Sequence, residues 1–174
     1  MRPVEQRIVI SAPREDIYEF LIDVSNRVAW MDHFVKDFRL TRVKPVGVGA
    51  GAAFLVDSPL FPLRAEYQII ETEHPRLIRE RGRIGRLGRT TGYTEWELFE
   101  NYGSTELTVT VWTQPGIRWD AIKESLGARP WLKRQLRTSL KRLRKIFEEQ
   151  PERPLARAAV AGYEPLKAAR YGSA

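Results

Sequence analysis

Between Phe38 and Gln114 apolar and polar residues alternate with a period of two, and Gly- or Pro-bearing connections divide the run into segments near 38–44, 52–56, 63–73, 76–84, 89–100 and 104–114. Successive side chains of a strand point to opposite faces, so the pattern predicts an antiparallel meander with one buried side. Leu107, Val109 and Val111 share a face, and Thr108 and Thr110 share the other. In the preceding segment Thr94, Trp96 and Leu98 oppose Tyr93, Glu95 and Glu97, which predicts that the Trp96 face points inward. The connections carry Gly47, Gly49 and Gly51, then Ser58-Pro59 and Pro62, then His74-Pro75, then Gly82, Gly85 and Gly88, then Asn101-Tyr102-Gly103.

A sheet with one apolar face needs a cover, and the chain supplies one. From Trp131 to about Glu149 the residues Leu132, Leu136, Leu140, Leu143 and Phe147 recur at spacings of three or four, the stripe of an amphipathic helix. Burial of such side chains stabilises by about 1.5 to 3 kcal/mol each. Upstream, residues 4–10 read as a first strand, with Ile8 and Ile10 on one face. Pro13 suits a first helical position, Glu15 and Asp16 suit its positive end, and Ile17, Phe20, Leu21 and Val24 share a helical face. Asp23, Ser25 and Asn26 interrupt this helix and can cap a second short one carrying Val28, Ala29 and Trp30. The expected architecture is α+β: a seven-stranded antiparallel sheet, two short helices after the first strand, and a long C-terminal helix. One domain is expected over residues 1–149, with the Ala-, Arg- and Pro-rich residues 150–174 as a loosely attached tail.

Composition excludes several chemistries. There is no cysteine, hence no disulfide, thiol nucleophile or Cys-based zinc site, and His33 and His74 are too far apart in sequence to suggest a metal site. Neither a signal-peptide apolar run nor 18 successive uncharged apolar residues occurs, so a cytoplasmic location is expected. The stretch GRIGRLGR at 82–89 lacks the Gly-Lys-Ser/Thr and strand-to-helix context of a phosphate loop, and no cofactor is expected. A net charge of +7 and a pI near 9.9 favour anionic partners without choosing among them.

The order of elements resembles the helix-grip fold of the START-like, or SRPBCC, superfamily, which includes the polyketide cyclase/dehydrase family and Bet v 1-like plant proteins. Three stretches carry the resemblance. ISAPREDIYEFLIDVSNRVAW at 10–30 looks like the opening in which a strand ends in Ala-Pro and a Trp closes the second helix; GVGAG at 47–51 is similar to the glycine-rich loop; ETEHP at 71–75 is similar to the turn before the fifth strand. The resemblance spans residues 4–149. It implies lipid or other hydrophobic-ligand binding in an internal cavity, with Trp30 and Phe54 as pocket aromatics, and it does not choose among carriers, receptors and cyclases.

Candidate ligand-binding residues are Trp30, Phe34, Phe54, Tyr67, Ile69 and Trp96 with Leu132 and Leu136 from the helix; Leu98 and Leu107 are the more core-like of the inward residues. Turns of a meander alternate between two ends, so loops 57–62, 82–89 and 114–119 gather together and form a mouth. Phe61, Ile84, Leu87 and Trp119 are its apolar tips, set among Arg83, Arg86, Arg89 and Arg118, a combination suited to transient contact with an anionic membrane surface. Weak catalytic candidates are His33, an imidazole that titrates near neutrality, and Arg79. Arg79 and Arg81 share parity with Leu77, whereas Ile78 and Glu80 compete for the inward face, and the sequence leaves that register open.

Three functions follow from these residues. The first is noncatalytic binding or transport of a lipid, isoprenoid or polycyclic molecule. The second is a cyclase/dehydratase-type enzyme using the same cavity. The third is nonspecific nucleic-acid binding by the basic helix residues Arg129, Lys133, Arg134, Arg137, Lys141, Arg142, Arg144 and Lys145, disfavoured because no nucleic-acid motif accompanies them.

Overall fold

A computed structural model describes residues 1–58, 62–85, 87–116, 128–149 and 155–158. Strand β1 (Val4–Ile10) leads into helix α1 (Arg14–Ile22), a 3-10 turn (Val24–Arg27) and the single-turn α2 (Val28–Met31). There follow β2 (Val35–Leu40), β3 (Gly51–Val56), β4 (Leu63–Glu73), β5 (Leu77–Ile84), β6 (Thr90–Asn101) and β7 (Ser104–Gln114), then the long helix α3 (Ala128–Glu148). The strands make one seven-stranded sheet in the order β1-β7-β6-β5-β4-β3-β2, and every pairing is antiparallel. The meander β2 to β7 thus ends with β7 beside β1, which forms one edge of the sheet while β2 forms the other.

Parity is read directly in burial. On β6, Thr90, Trp96 and Leu98 are buried, and on β7 Leu107 and Val109 are fully so. Val9 on β1, from the opposite face, is exposed. The predicted strand at 38–44 forms instead at Val35–Leu40. Its register shifts between Lys36 and Arg39, where Asp37 has a positive φ, so a bulge rather than simple alternation sets its course.

Three of the five expected anchors on α3, Leu136, Leu140 and Leu143, are buried, and Ser139 between them is also fully enclosed. Leu132 and Phe147 are only partly buried. Phe147 meets Phe20 of α1 edge-on, with ring centroids 5.4 Å apart, so Phe20 joins α1 to the end of α3 rather than entering the core. The helix begins before Pro130. A proline there loses nothing, because first-turn N–H groups lack intrahelical partners.

The turn between α1 and α2 is built by side chains. The Asp23 carboxylate accepts from Ser25 N–H at 3.0 Å, and the Asn26 amide donates to Phe20 O at 3.0 Å, the local bonding that makes such residues helix breakers. Residues 155–158 return to this turn: Ala158 N–H donates to Ser25 O at 3.0 Å, and Arg157 pairs with Asp23.

Candidate ligand cavity

The concave face of the sheet and α3 do not pack flush. Between them lies a cavity of about 1120 Å³. Small side chains make this room: Ala50, Ala52 and Ala65 line it where larger residues would fill it. One wall is aromatic. Phe38, Phe54 and Tyr67 stand in a row across β2, β3 and β4, with successive rings within 13° of parallel and centroids 5.6 and 6.0 Å apart.

The Tyr67 ring continues over β5 and β6, and two mid-strand glycines admit it. A Cβ at Gly82 would lie 2.6 Å from Tyr67 Cγ, and one at Gly92 would lie 2.1 Å from the Tyr67 hydroxyl. In register, Tyr67 faces Gly82, which faces Gly92. Gly82 therefore serves strand packing inside β5, and the chain reverses later, at Gly85 and Gly88, which have positive φ.

Of the residues expected to line a ligand site, Phe34, Phe54, Tyr67, Ile69, Trp96, Leu132 and Leu136 border the cavity, as do Ile84 and Leu87 of the mouth. Leu87 is two-thirds exposed, and Gly85 N–H donates to Arg64 O at 2.8 Å, tying the β5–β6 loop to the start of β4. Phe61 and Trp119, with Arg86 and Arg118, lie outside the described residues. Trp30 is placed differently. It is buried behind the lining, edge-on to Trp96 with centroids 5.7 Å apart. Leu98 and Leu107 are core.

Neither catalytic candidate faces the cavity. His33 links α2 to α3, its Nε2 lying 3.3 Å from Gln135 O. Burial, then the nearby Arg142 cation, lowers its pKa below 6.5. Arg79 points to the outer face, where Glu95 and Glu71 hold it, the latter at 2.9 Å, and these carboxylates raise its pKa. The open register is settled in favour of Ile78 and Glu80, both buried. β5 pairs with β6 without a shift, Ile78 beside Trp96 and Glu80 beside Thr94, so the two share the inner face. Leu77 is buried as well, and alternation counted from it alone misassigns that face.

What the sequence did not single out is a charged pair in the cavity wall. Arg27, from the 3-10 turn, reaches Glu80 on β5: its Nη2 donates to Oε1 and its Nη1 lies 3.5 Å from Oε2. The guanidinium also lies 4.8 Å from the Trp96 ring centroid, and Nη2 donates to Leu21 O at 3.4 Å. Burial of both charges costs several kcal/mol each, offset by their attraction and by the cation–π contact. Nothing local distinguishes Arg27 from a solvated helix residue, so only a three-dimensional pairing identifies it.

The family model for polyketide cyclase/dehydrase and lipid transport proteins matches residues 1–148. Solved structures similar to the chain include ginseng major latex-like protein 151 from Panax ginseng, at 9% identity with TM-score 0.65, covering 84% of this chain and 97% of that one. TTHA0849 from Thermus thermophilus matches at 15% identity with TM-score 0.63, covering 82% of this chain and 94% of that one. CV1439 from Chromobacterium violaceum matches at 18% identity with TM-score 0.62, covering 85% and 98%. At these identities the likeness is one of fold. No curated protein sequence matches the chain.

Proposed function

The chain belongs to the polyketide cyclase/dehydrase and lipid transport family, and from that membership we propose that it binds a hydrophobic small molecule, lipid, isoprenoid or polycyclic, without transforming it. The observation that carries this reading is the cavity of about 1120 Å³ with its row of Phe38, Phe54 and Tyr67. Ligand pockets commonly run from roughly 300 to 1000 Å³, so the space suits a bulky apolar guest. Binding would draw chiefly on removal of apolar surface from water.

Proton-transfer catalysis asks for an acid or base free to act. Among the described residues Glu80 is the one carboxylate lining the cavity, no histidine lines it, and Glu80 is engaged by Arg27. This favours the carrier reading over a cyclase or dehydratase. The exposed apolar Leu87 beside the exposed Arg83 and Arg89 at the mouth supports ligand exchange at an anionic membrane surface. No helix among the described residues is long and apolar enough to cross a membrane.

The test is native mass spectrometry of the purified protein, then organic extraction and identification of what is retained. An apolar passenger is expected, and Ala65→Trp, which fills the cavity, should exclude it. Absence of any passenger together with lipophilic-probe binding unchanged by Ala65→Trp would defeat the proposal. Pelleting with anionic vesicles should weaken with salt and with Leu87→Asp; unchanged pelleting would remove the membrane step.

A further inference from the structure

Resting on the cavity-binding reading, we infer that the ligand carries a neutral oxygen function, a hydroxyl or a carbonyl, seated against Arg27 and Glu80, and that this position rejects a carboxylate. Both residues line the cavity and each is only 6% exposed. The surrounding wall from Val24, Ile69, Trp96 and Leu136 is apolar, so the pair is the feature there that reads the polarity of a guest.

Donor and acceptor capacity is left over on both partners. A guanidinium has five N–H donors and a carboxylate about four acceptor sites. Arg27 uses its Nη atoms on Glu80 and Leu21 O, while its buried Nε has no partner. A ligand carbonyl can accept from the guanidinium. A hydroxyl can also donate to the carboxylate.

Charge decides against an ion. The pair sums to zero, so a carboxylate arriving here would lose its hydration and meet Glu80 at close range with no unbalanced cation in exchange. A cationic head meets Arg27 in the same way. Thr94, the cross-strand neighbour of Glu80, and Thr90 are buried and also border the cavity, adding hydroxyls but no charge.

The test uses one fluorescent skeleton with three ends: pyrenebutanol, butylpyrene and pyrenebutyrate, titrated into the full chain. The variants are Glu80→Gln and the double replacement Arg27→Met/Glu80→Leu, which removes both charges and keeps a packed wall. The ratio of butanol to butyl affinity should be about tenfold higher in the unmodified protein than in the double variant, the worth of one hydrogen bond. Pyrenebutyrate should bind the unmodified protein about tenfold more weakly than the alcohol, and Glu80→Gln, which leaves Arg27 unbalanced, should reverse that order. An unchanged ratio in the double variant, or equal binding of alcohol and carboxylate by the unmodified protein, overturns the inference while butylpyrene binding upholds the cavity. Failure of every pyrene to bind the unmodified protein overturns the cavity reading and this inference with it.

Discussion

Tyr67 on β4 lies over Gly92 on β6, two strands away, its hydroxyl 2.1 Å from the point a Cβ would occupy. The absence of a side chain at Gly92 is what lets the aromatic wall of the cavity extend across β5. A methyl group there must displace both the tyrosine and Ile84, whose Cδ1 would lie 2.8 Å from it.

Gly92→Ala should therefore destabilise the protein by about 1 to 3 kcal/mol, the usual cost of overpacking, even though alanine is otherwise the better strand residue. Urea denaturation measures it. Combining the change with Tyr67→Ala should give a loss smaller than the sum of the two single losses, and strict additivity would show that the two residues do not compete for space.

Arg27→Met alone leaves Glu80 as an uncompensated buried charge and should cost about 3 to 5 kcal/mol. The double variant Arg27→Met/Glu80→Leu should recover most of that stability, as apolar replacements of buried ion pairs do. Equilibrium unfolding of the two variants compares them directly. A double variant no more stable than the single one would mean that the pair is needed for packing rather than for charge balance.

His33 predicts a sign for the pH dependence. Burial and Arg142 lower its pKa in the folded state, so the unfolded chain binds the proton more readily. Its contribution is present above the unfolded pKa of about 6.5 and is lost as pH falls through the lower folded value. Unfolding free energies measured between about pH 5 and pH 8 should fall on acidification less steeply in His33→Gln than in the unmodified protein. Parallel profiles would contradict this.

Removal of residues 150–174 should leave a folded domain. The described contacts of that segment include Ala158, which bonds Ser25 and packs partly buried against the core, and the largely exposed Arg157 with Asp23 and Ser25. An ion pair open to solvent on the arginine side is worth about 1 kcal/mol. A small drop in Tm with unchanged probe binding is the expected result. A truncated chain that does not fold would make the segment part of the domain.

Much of the fold was legible because its determinants are local. The period of two placed Trp96, Leu98, Leu107 and Val109 inward, and the stripe on α3 identified Leu136, Leu140 and Leu143, all buried. Part of the candidate site was legible from the same periodicity, as at Tyr67, Ile69 and Leu136, while Phe34 and Leu87 border the cavity from connections outside it. At Leu77 and Ile78 the same argument gave no answer, because adjacent apolar residues are both buried, 4% and 0% exposed. Trp30 looked like lining, yet its ring is spent on Trp96. Gly82 read as turn punctuation and proved to be the bed of an aromatic ring.

The sequence by itself determined the element order, the inward face of most strands and the apolar character of what they enclose. These depend on alternation along a few neighbouring residues. Only the tertiary structure decided that the enclosure is a void, that Glu80 rather than Arg79 faces it, and that Arg27 meets Glu80 there. A void depends on how large and small side chains from different strands fall opposite one another. A buried charge is tolerable only beside its partner, and here the partner stands 53 positions away in the chain.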